Sequence, residues 1–304
     1  RRALAQRDRG EISEGDLHRV QDDVTREVIS EQCRSGIDLV TDGQIRWQDA
    51  QTYFAGRLEG VRITGLLRYF DTNTYFRQPV IEEAIRWKNP VTVEDYKFAA
   101  GASERPVKPV LTGPYTLAKL SHDKHYGNEE TLTADYARAL AEEVSALEAA
   151  GADLIQIDEP AILWWPDQFP LLEKGIAQLA KGKKKSRLAL YTYFRGAGKI
   201  LSRLSELPVE ILGIDLVEGK NDIEAIEKSP PAKTLALGIL NGRNTKLEDE
   251  VKTASLVRRL WKASGSGEMF VNPSCGLEFL PRETAFKKLE LLSRIAGRAN
   301  QEEK

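Results

Sequence analysis

Two adjacent carboxylates mark the stretch of this sequence best suited to chemistry. Asp158 and Glu159 follow the apolar run Leu154–Ile157 and precede Pro160, which ends the strand pattern. A short apolar run bounded by turn signals is typical of a buried parallel strand. Parallel α/β folds place their active sites at the carboxyl ends of strands. The sequence therefore predicts a site around Asp158, suited to a cation or a ligand that carries an amine.

Polar side chains also end almost every other predicted strand. Since the carboxyl ends of parallel strands meet at one edge, we expect them to surround a common mouth into which Asp158 points. The alternative is a buried ion pair between Asp158 and an arginine such as Arg195 or Arg243. The polar residues at the other strand ends are Asp42, Thr112, Tyr193, Asp215, Asn241 and Ser274.

Aromatic residues should rim this mouth, and a turn-forming stretch adds a candidate cation. Residues 241–244, Asn-Gly-Arg-Asn, either hold an anionic group through Arg243 or form a turn whose Arg243 pairs with Asp215 or Glu218. These residues leave the type of reaction open. The predicted rim consists of Tyr191, Tyr193, Trp164 and Trp165.

A metal site needs several histidine, cysteine or carboxylate ligands to converge. At the predicted strand ends only Cys275 and the carboxylates are available, and Cys33 is too distant in sequence to indicate a disulfide framework. The histidines lie elsewhere, at positions 18, 122 and 125. The residues themselves therefore do not indicate a metal site.

Seven stretches have the pattern of strands, and helical segments separate nearly all of them. An open doubly wound sheet could hold seven strands, but it concentrates its site at one switch point. We therefore predict a single (β/α)8 TIM-type barrel domain over residues 1–304, with its first strand either upstream of residue 1 or missing. The predicted strands are Ile37–Gly43, Val107–Thr112, Asp153–Asp158, Arg187–Phe194, Ile211–Leu216, Thr234–Leu240 and Met269–Pro273.

A β-hairpin insertion is predicted around residues 58–78. Two extended runs, Leu58–Ile63 and Leu66–Phe70, flank Thr64 and Gly65, a plausible turn. The aromatic residues of this region form either a satellite core or the lip of a binding site, and buried aromatics are the commoner case. They are Tyr53, Phe54, Tyr69, Phe70, Tyr75 and Phe76.

Composition limits the class of protein. The 304 residues are 41% hydrophobic and 30% charged, with a formal net charge of −2, which argues against a general nucleic-acid or anionic-membrane binder. No apolar run approaches about 18 residues, and no signal peptide is visible. We expect a cytoplasmic protein. The sequence does not begin with Met, so a true N-terminus upstream of residue 1 is an open alternative.

Seven strings, taken in order, carry a resemblance to a known family. They are Tyr69–Asn73, Leu111–Thr116, Ile155–Ala161, Tyr191–Phe194, Gly213–Lys220, Gly238–Asn244 and Val271–Leu277. Together they resemble the cobalamin-independent methionine synthase family, whose long members carry two related (β/α)8 barrels. The C-terminal barrel holds zinc and homocysteine, and the N-terminal barrel lacks the metal. This chain has the size of one barrel and is most similar to the N-terminal one.

The resemblance implies a degenerate metal site. Tyr191 and Tyr193 stand where the catalytic barrel has a His-x-Cys zinc pair, Asp215 where it has a glutamate ligand, and Cys275 where it has its last cysteine. Phenols with a pKa near about 10 replace imidazole or thiolate poorly. The tyrosines are expected to fill the pocket and hydrogen-bond Asp215. We expect no bound cofactor, with zinc only if the family site is functional.

The resemblance also implies a substrate set. Asp158 matches the aspartate that holds the amine of homocysteine, and Gln44 lies near a glutamate with the same task. Leu120 stands where the catalytic barrel has a tryptophan close to the folate. With Asp42 and Asn241, Asp158 and Gln44 make up the predicted substrate-binding residues.

Three functions remain open. The first is methyl transfer to homocysteine in methionine biosynthesis, with a separate catalytic barrel as partner. The second is a non-catalytic barrel that binds a folate or supports a catalytic barrel. The third is different chemistry on a small amino acid or thiol. In each case we expect a small-molecule ligand and neither a nucleic acid nor a membrane partner.

Overall fold

The computed structural model describes residues 2–265 and 267–301. In this part of the chain no helix is both long and apolar enough to cross a membrane. The helices are α1 (Arg2–Asp8), α2 (Glu14–Arg34), α3 (Thr52–Ala55), α4 (Val93–Ala102), α5 (Pro114–Leu120), α6 (Glu129–Ala149), α7 (Phe169–Leu179), α8 (Leu201–Leu204), α9 (Lys220–Lys228), α10 (Glu250–Ala263) and α11 (Arg282–Asn300). The strands are β1 (Glu59–Arg68), β2 (Tyr75–Arg86), β3 (Val110–Thr112), β4 (His122–Asp123), β5 (Leu154–Asp158), β6 (Arg187–Thr192), β7 (Ile211–Asp215), β8 (Thr234–Leu240) and β9 (Met269–Pro273).

A parallel sheet carries the fold, in the order β3-β5-β6-β7-β8-β9. Strands that follow one another along the sheet are also consecutive in the chain, apart from the short β4. The register sets Thr112 beside Asp158, Asp158 beside Tyr191, and Tyr191 beside Gly213. Neighbours in register project from the same face. The carboxyl ends therefore meet at one edge, as the sequence predicts.

The first predicted strand, Ile37–Gly43, is reduced to one parallel bridge between Val40 and Val107. The chain leaves the extended conformation at Gly43 (φ 68°) and Gln44 (φ 49°), so the ladder cannot continue. No ladder joins β9 to this segment within the described residues. A further strand upstream of residue 1 stays a prediction.

The predicted hairpin exists, but the predicted turn at Thr64 and Gly65 is wrong. β1 runs straight through these residues, with a bulge between Ile63 and Leu66, and pairs antiparallel with β2. The chain reverses at residues 69–74 instead, where the Tyr69 amide donates to the Thr74 carbonyl at 2.9 Å. The bulge accommodates the glycine without ending the strand, so the hairpin extends to Arg86, beyond its predicted limit.

Alternate residues of the sheet form two cores, as the period of a strand requires. One set, including Ile155, Ile157 and Leu190, packs against the helices. The opposite face carries a smaller inner cluster in which Tyr191 is the largest member. Its buried residues are Leu154, Ala189, Tyr191, Ile211 and Ala236.

A third cluster joins the hairpin to the carboxyl edge of the sheet. Tyr69 makes edge-to-face contacts with Phe76 and Phe194 at 6.1 Å between ring centroids, and Cys275 is buried in the same cluster. The predicted satellite core is therefore present. It is smaller than predicted, because Tyr75 is 59% exposed and does not belong to it. It covers the edge where Asp158 lies.

Candidate functional site

Asp158 lies at the end of β5 and faces the inner side of the sheet. Its Oδ1 accepts a hydrogen bond from Gln156 Nε2 at 2.8 Å, and its Oδ2 accepts one from the Tyr193 hydroxyl at 3.2 Å. Burial raises the pKa of Asp158 to about 6, while the Gln156 bond and the nearby Lys108 ammonium oppose that rise. Two donors leave lone pairs of the carboxylate available to a ligand.

The alternative of a buried ion pair between Asp158 and an arginine is wrong. The Arg195 guanidinium lies over the Trp164 ring, 3.6 Å from its centroid. Arg243 pairs with Asp71 at 3.3 Å instead. The cation that influences Asp158 is Lys108, whose hydrogen-bonded connection to the carboxylate runs through Gln156.

Glu159, next to Asp158, has a structural role. Successive strand residues project to opposite faces, so this carboxylate points to the start of α5. It accepts hydrogen bonds from the Tyr115 amide at 2.9 Å, the Thr116 amide at 2.7 Å and the Thr116 hydroxyl at 2.6 Å. Complete burial raises its pKa to about 7, and these bonds oppose the rise. A side chain on Gly113 would lie 2.3 Å from the carboxyl group, so this position must remain glycine.

Asp215, at the end of β7, is also bound by the backbone. Its carboxylate accepts from the amides of Val217 at 2.9 Å, Glu218 at 3.0 Å and Phe194 at 3.1 Å. Burial raises its pKa to about 6 despite these bonds. Phe194 has a φ of 77°, so Asp215 holds the chain in the unusual turn that follows β6. The predicted hydrogen bond from a tyrosine to Asp215 is wrong.

The two tyrosines fill the inner face. The Tyr193 hydroxyl donates to Asp158, not to Asp215. The Tyr191 ring lies against Gly213, where a Cβ atom would come within 2.4 Å of it. Burial raises the pKa of both phenols well above the ordinary value, so they are neutral at physiological pH.

Cys275 is buried at the same edge, and its thiol is held in the protonated form. Burial raises its pKa, and the carboxylates of Glu278 and Asp215 raise it further. The thiol also lies close to Gly242, where a Cβ atom would approach it to 2.8 Å.

These donors do not fit zinc. Two are neutral phenols and the carboxylate of Asp215 is bound by backbone amides, so Cys275 is left as the one soft donor of the four. Across residues 2–265 and 267–301, no three histidine, cysteine, aspartate or glutamate side chains converge so as to hold a metal ion.

Asp42 and Gln44 form a local pair away from Asp158. Asp42 Oδ1 accepts from the Gln44 amide at 3.1 Å and from Gln44 Nε2 at 2.9 Å. Burial raises the pKa of Asp42 to about 6; the Asp95 carboxylate adds to the rise and the Arg46 guanidinium opposes it. No contact in the described structure joins this pair to Asp158. Their role in substrate binding stays a prediction.

Asn241 begins the predicted turn. Its Oδ1 accepts from the Arg243 amide at 2.8 Å, and its own amide donates to Glu248 at 2.7 Å. The partner of Arg243 is Asp71, so the predicted pairing with Asp215 or Glu218 is wrong. This contact fastens the turn of the β1–β2 hairpin to the loop after β8. A substrate role for Asn241 stays a prediction.

Buried polar atoms without partners gather at the same edge. Within the described residues, Gln51 Oε1 and Nε2, Trp164 Nε1 and Asn272 Oδ1 make no hydrogen bond. Buried polar groups are nearly always paired, so a ligand or water is expected to meet them. Beside Trp164, a cleft of about 540 Å³ opens between the loops that follow β5, β6 and β7.

Sequence reasoning missed Lys108, Gln156 and Gln51. For the first two a signal existed, because each lies an even number of residues before a predicted site residue on its strand and so shares its face. Gln51 carried no such signal, since it lies in a loop.

Comparisons with known proteins identify the family of the chain. Residues 1–298 match the family model described as the catalytic domain of cobalamin-independent synthase. The methionine synthase of Saccharolobus solfataricus is 28% identical over 282 residues, which cover 92% of this chain and 84% of that protein. The methionine synthase of Thermococcus kodakarensis is 27% identical over 285 residues, covering 93% and 84%.

A solved structure supports the fold. A B12-independent methionine synthase from Shewanella sp. W3-18-1, in complex with selenomethionine, has a TM-score of 0.84 at 24% identity, covering 94% of this chain and 89% of that chain. This confirms the predicted α/β barrel-type fold. The likeness to a zinc-less N-terminal barrel stays a prediction, since the matching family model describes the catalytic domain. Because that model spans nearly the whole sequence, the chain belongs to the cobalamin-independent methionine synthase family.

Proposed function

We propose that this chain serves methionine biosynthesis by binding an amino acid of the homocysteine–methionine type at the carboxyl edge of its sheet, without a zinc-bound thiolate of its own. The observation that carries the proposal is the contrast between carboxylates. Backbone amides engage Glu159 and Asp215, whereas Asp158 has only two side-chain donors, one of them at 3.2 Å. Asp158 is therefore the carboxylate able to accept an ammonium group.

The surrounding residues suit the remainder of such a ligand. The unpartnered Nε2 of Gln51 can donate a hydrogen bond to a carboxylate, and the unpartnered Gln51 Oε1 and Asn272 Oδ1 can accept hydrogen bonds from a bound water. Tyr69, Phe76 and Phe194 supply an apolar wall beside them, suited to a short thioether or thiol side chain. Family membership supports methionine biosynthesis as the setting.

Methyl transfer requires an activated sulfur. A free thiol at neutral pH is mostly protonated, and a metal or a neighbouring base must lower its pKa. Cys275 and the phenols supply neither, because they are themselves neutral. The carboxylate of Asp215 is bound by backbone amides, and that of Asp158 is assigned to the ammonium group. We therefore propose that methyl transfer needs a separate catalytic barrel, with a folate as the methyl donor.

Calorimetric titration with L-methionine and L-homocysteine tests the binding step. We expect both to bind, and Asp158→Asn to weaken binding at least about tenfold, since a charge-assisted hydrogen bond is lost. Asp153→Asn is the matched control: it removes the same charge from the exposed start of the same strand and should leave affinity unchanged. Equal affinity of wild type and Asp158→Asn would contradict the proposal.

Co-purification tests the partner. The tagged chain, expressed in its native host, should retain a second methionine-synthase barrel, and the methyltransferase rate should require both chains. If the isolated chain catalyses methyl transfer to homocysteine at the rate of the mixture, the two-chain proposal is wrong.

A further inference from the structure

A half-buried lysine and a half-buried glutamine lie directly behind Asp158. Lys108 Nζ donates to Gln156 Oε1 at 2.5 Å, and Gln156 Nε2 donates to Asp158 Oδ1 at 2.8 Å. An ammonium group can only donate and a carboxylate can only accept. The Gln156 amide therefore has one permitted orientation, with its oxygen towards Lys108 and its nitrogen towards Asp158.

Lys108 has no ion pair within the described residues, and its other close neighbour is the face of Tyr191, 4.8 Å from the ring centroid. An ammonium ion withdrawn from water needs a compensating charge. Asp158 is the carboxylate that supplies it, at the far end of the Gln156 amide. The lysine, the glutamine and the aspartate thus form one relay.

Gln156 keeps the ammonium group of Lys108 away from the carboxylate of Asp158, which leaves that carboxylate open to a ligand. A direct ion pair would occupy the carboxylate of Asp158 and place a competing cation beside it. With Gln156 between them, Lys108 balances the charge of Asp158 while Oδ2 stays open apart from the long bond from Tyr193.

We propose that Lys108 is a positioning residue for the amino-acid ligand: through Gln156 it holds Asp158 as an anion, oriented to receive the ammonium group of the ligand. This inference rests on the proposed function, in which Asp158 binds that group. Neither Lys108 nor Gln156 needs to touch the ligand.

Other titratable groups near Asp158 do not provide this charge. Tyr191 at the end of β6, Tyr193 just after that strand and Tyr69 from the hairpin stay neutral because burial raises their pKa values. The carboxylate of Glu159 is negative when ionised, so it repels the charge of Asp158 and cannot balance it. Lys108 is therefore the positive charge that, together with the hydrogen bonds from Gln156 and Tyr193, opposes the rise in the pKa of Asp158.

The test is the pH dependence of L-methionine binding, measured by calorimetry from pH 5 to 8 on the full chain. In wild type, affinity should fall on acidification with a midpoint near the Asp158 pKa of about 6. Lys108→Met and Gln156→Leu should each move this midpoint to higher pH. A midpoint that is higher by about one pH unit lowers the affinity about tenfold at pH values below the midpoint. Lys108→Arg should retain the wild-type profile, and Lys97→Met, which removes an exposed lysine of α4, should not alter it.

The Asp158 carboxyl can also be titrated directly by carbon-13 NMR in the ligand-free chain. A higher pKa of this carboxyl in Lys108→Met or Gln156→Leu supports the relay, and an unchanged pKa in a folded variant overturns it. If wild type binds no methionine, the proposed function fails, while the NMR titration still decides the relay. If methionine binds and Asp158→Asn abolishes binding but neither relay variant changes the pH profile, only the relay is wrong.

Discussion

At the scale of the residue, carboxylates with the same chemistry have different tasks. Glu159 and Asp215 each accept three hydrogen bonds, two or more of them from backbone amides, and thereby hold the start of α5 and the turn after β6. Asp158 is held by side chains alone. A carboxylate that accepts hydrogen bonds from backbone amides must break those bonds to bind a ligand, and leaving the amides unpaired costs free energy. The orientation of each side chain therefore decides its role.

Asp158→Asn should become more stable relative to wild type as the pH rises. Burial raises the pKa of Asp158 from 3.8 to about 6, so the proton stabilises the folded state below pH 4 and that contribution is lost as the pH rises through 6. At neutral pH the loss is at most about 3 kcal/mol, and asparagine does not suffer it. Urea unfolding at pH 4 and pH 7.5 measures the difference. A constant stability difference between the two proteins at both pH values would contradict the raised pKa of Asp158.

Glu159→Gln should destabilise the chain without changing ligand affinity. The glutamine amide would direct a donor at the amide donors of Tyr115 and Thr116, and unsatisfied buried donors cost about 1–3 kcal/mol. The free energy of unfolding and the affinity for L-methionine measure the two effects separately. A variant of wild-type stability that binds methionine poorly would show that Glu159 belongs to the site.

At the scale of the element, the fit between β6 and β7 decides what the inner face contains. The strands are in register at Tyr191 and Gly213, and the tyrosine ring occupies the space that a side chain on Gly213 would need. The ion pair between Asp71 and Arg243 holds the β1–β2 hairpin against the loop that follows β8, at the carboxyl edge of the sheet. Strand pairing and the hairpin together leave Asp158 half-buried beside Gln156 and Tyr193.

Gly213→Ala should destabilise the chain by about 1–3 kcal/mol, because overpacking forces the Tyr191 ring to move. Tyr191→Leu in the same chain should restore part of the loss, since the smaller side chain leaves room for the methyl group. Gly297→Ala is the matched control, because no atom lies within 4 Å of its added Cβ inside α11. Thermal unfolding of these three variants and of Tyr191→Leu alone measures the effect, and additive losses in the double variant would show that the two residues do not compete for space.

At the scale of the whole molecule, the fold is that of its family, while the donors at the positions that the resemblance assigns to zinc differ from what zinc requires. Tyr191, Tyr193, Asp215 and Cys275 meet at one edge of the sheet, but two are phenols and one is bound by amides. A barrel tolerates such replacement because its stability depends on packing between strands and helices, not on the residues at the strand ends.

The purified chain should therefore carry no stoichiometric zinc after dialysis, as measured by elemental analysis without a metal-binding tag. Two neutral phenols and a protonated thiol leave too few ligands for a tetrahedral site. Combining Tyr191→His, Tyr193→Cys and Asp215→Glu should raise zinc content, since imidazole and thiolate donors return at their family positions. One zinc per wild-type chain, lost in Cys275→Ser, would contradict this prediction.

The sequence by itself determined the order of the sheet strands and the residues that end them. Buried parallel strands are short apolar runs between turn signals, and this pattern is local in the chain. It correctly placed Asp158 and Asp215 at one edge. It predicted a full strand at Ile37–Gly43, where the structure has a single bridge. The left-handed conformation of Gly43 and Gln44, which ends the pairing, is not evident from residue type.

Only the tertiary structure decided which partners these residues have. Arg243 forms an ion pair with Asp71 in the turn of the hairpin, and Lys108 donates a hydrogen bond to Gln156 on the neighbouring segment of the sheet. Such contacts depend on register and on side-chain direction over long separations in sequence, and no local pattern specifies them. The position of the hairpin turn has the same cause, because pairing with β2 carries β1 past its glycine. The chemistry available to Asp158 is thus a property of the assembled sheet.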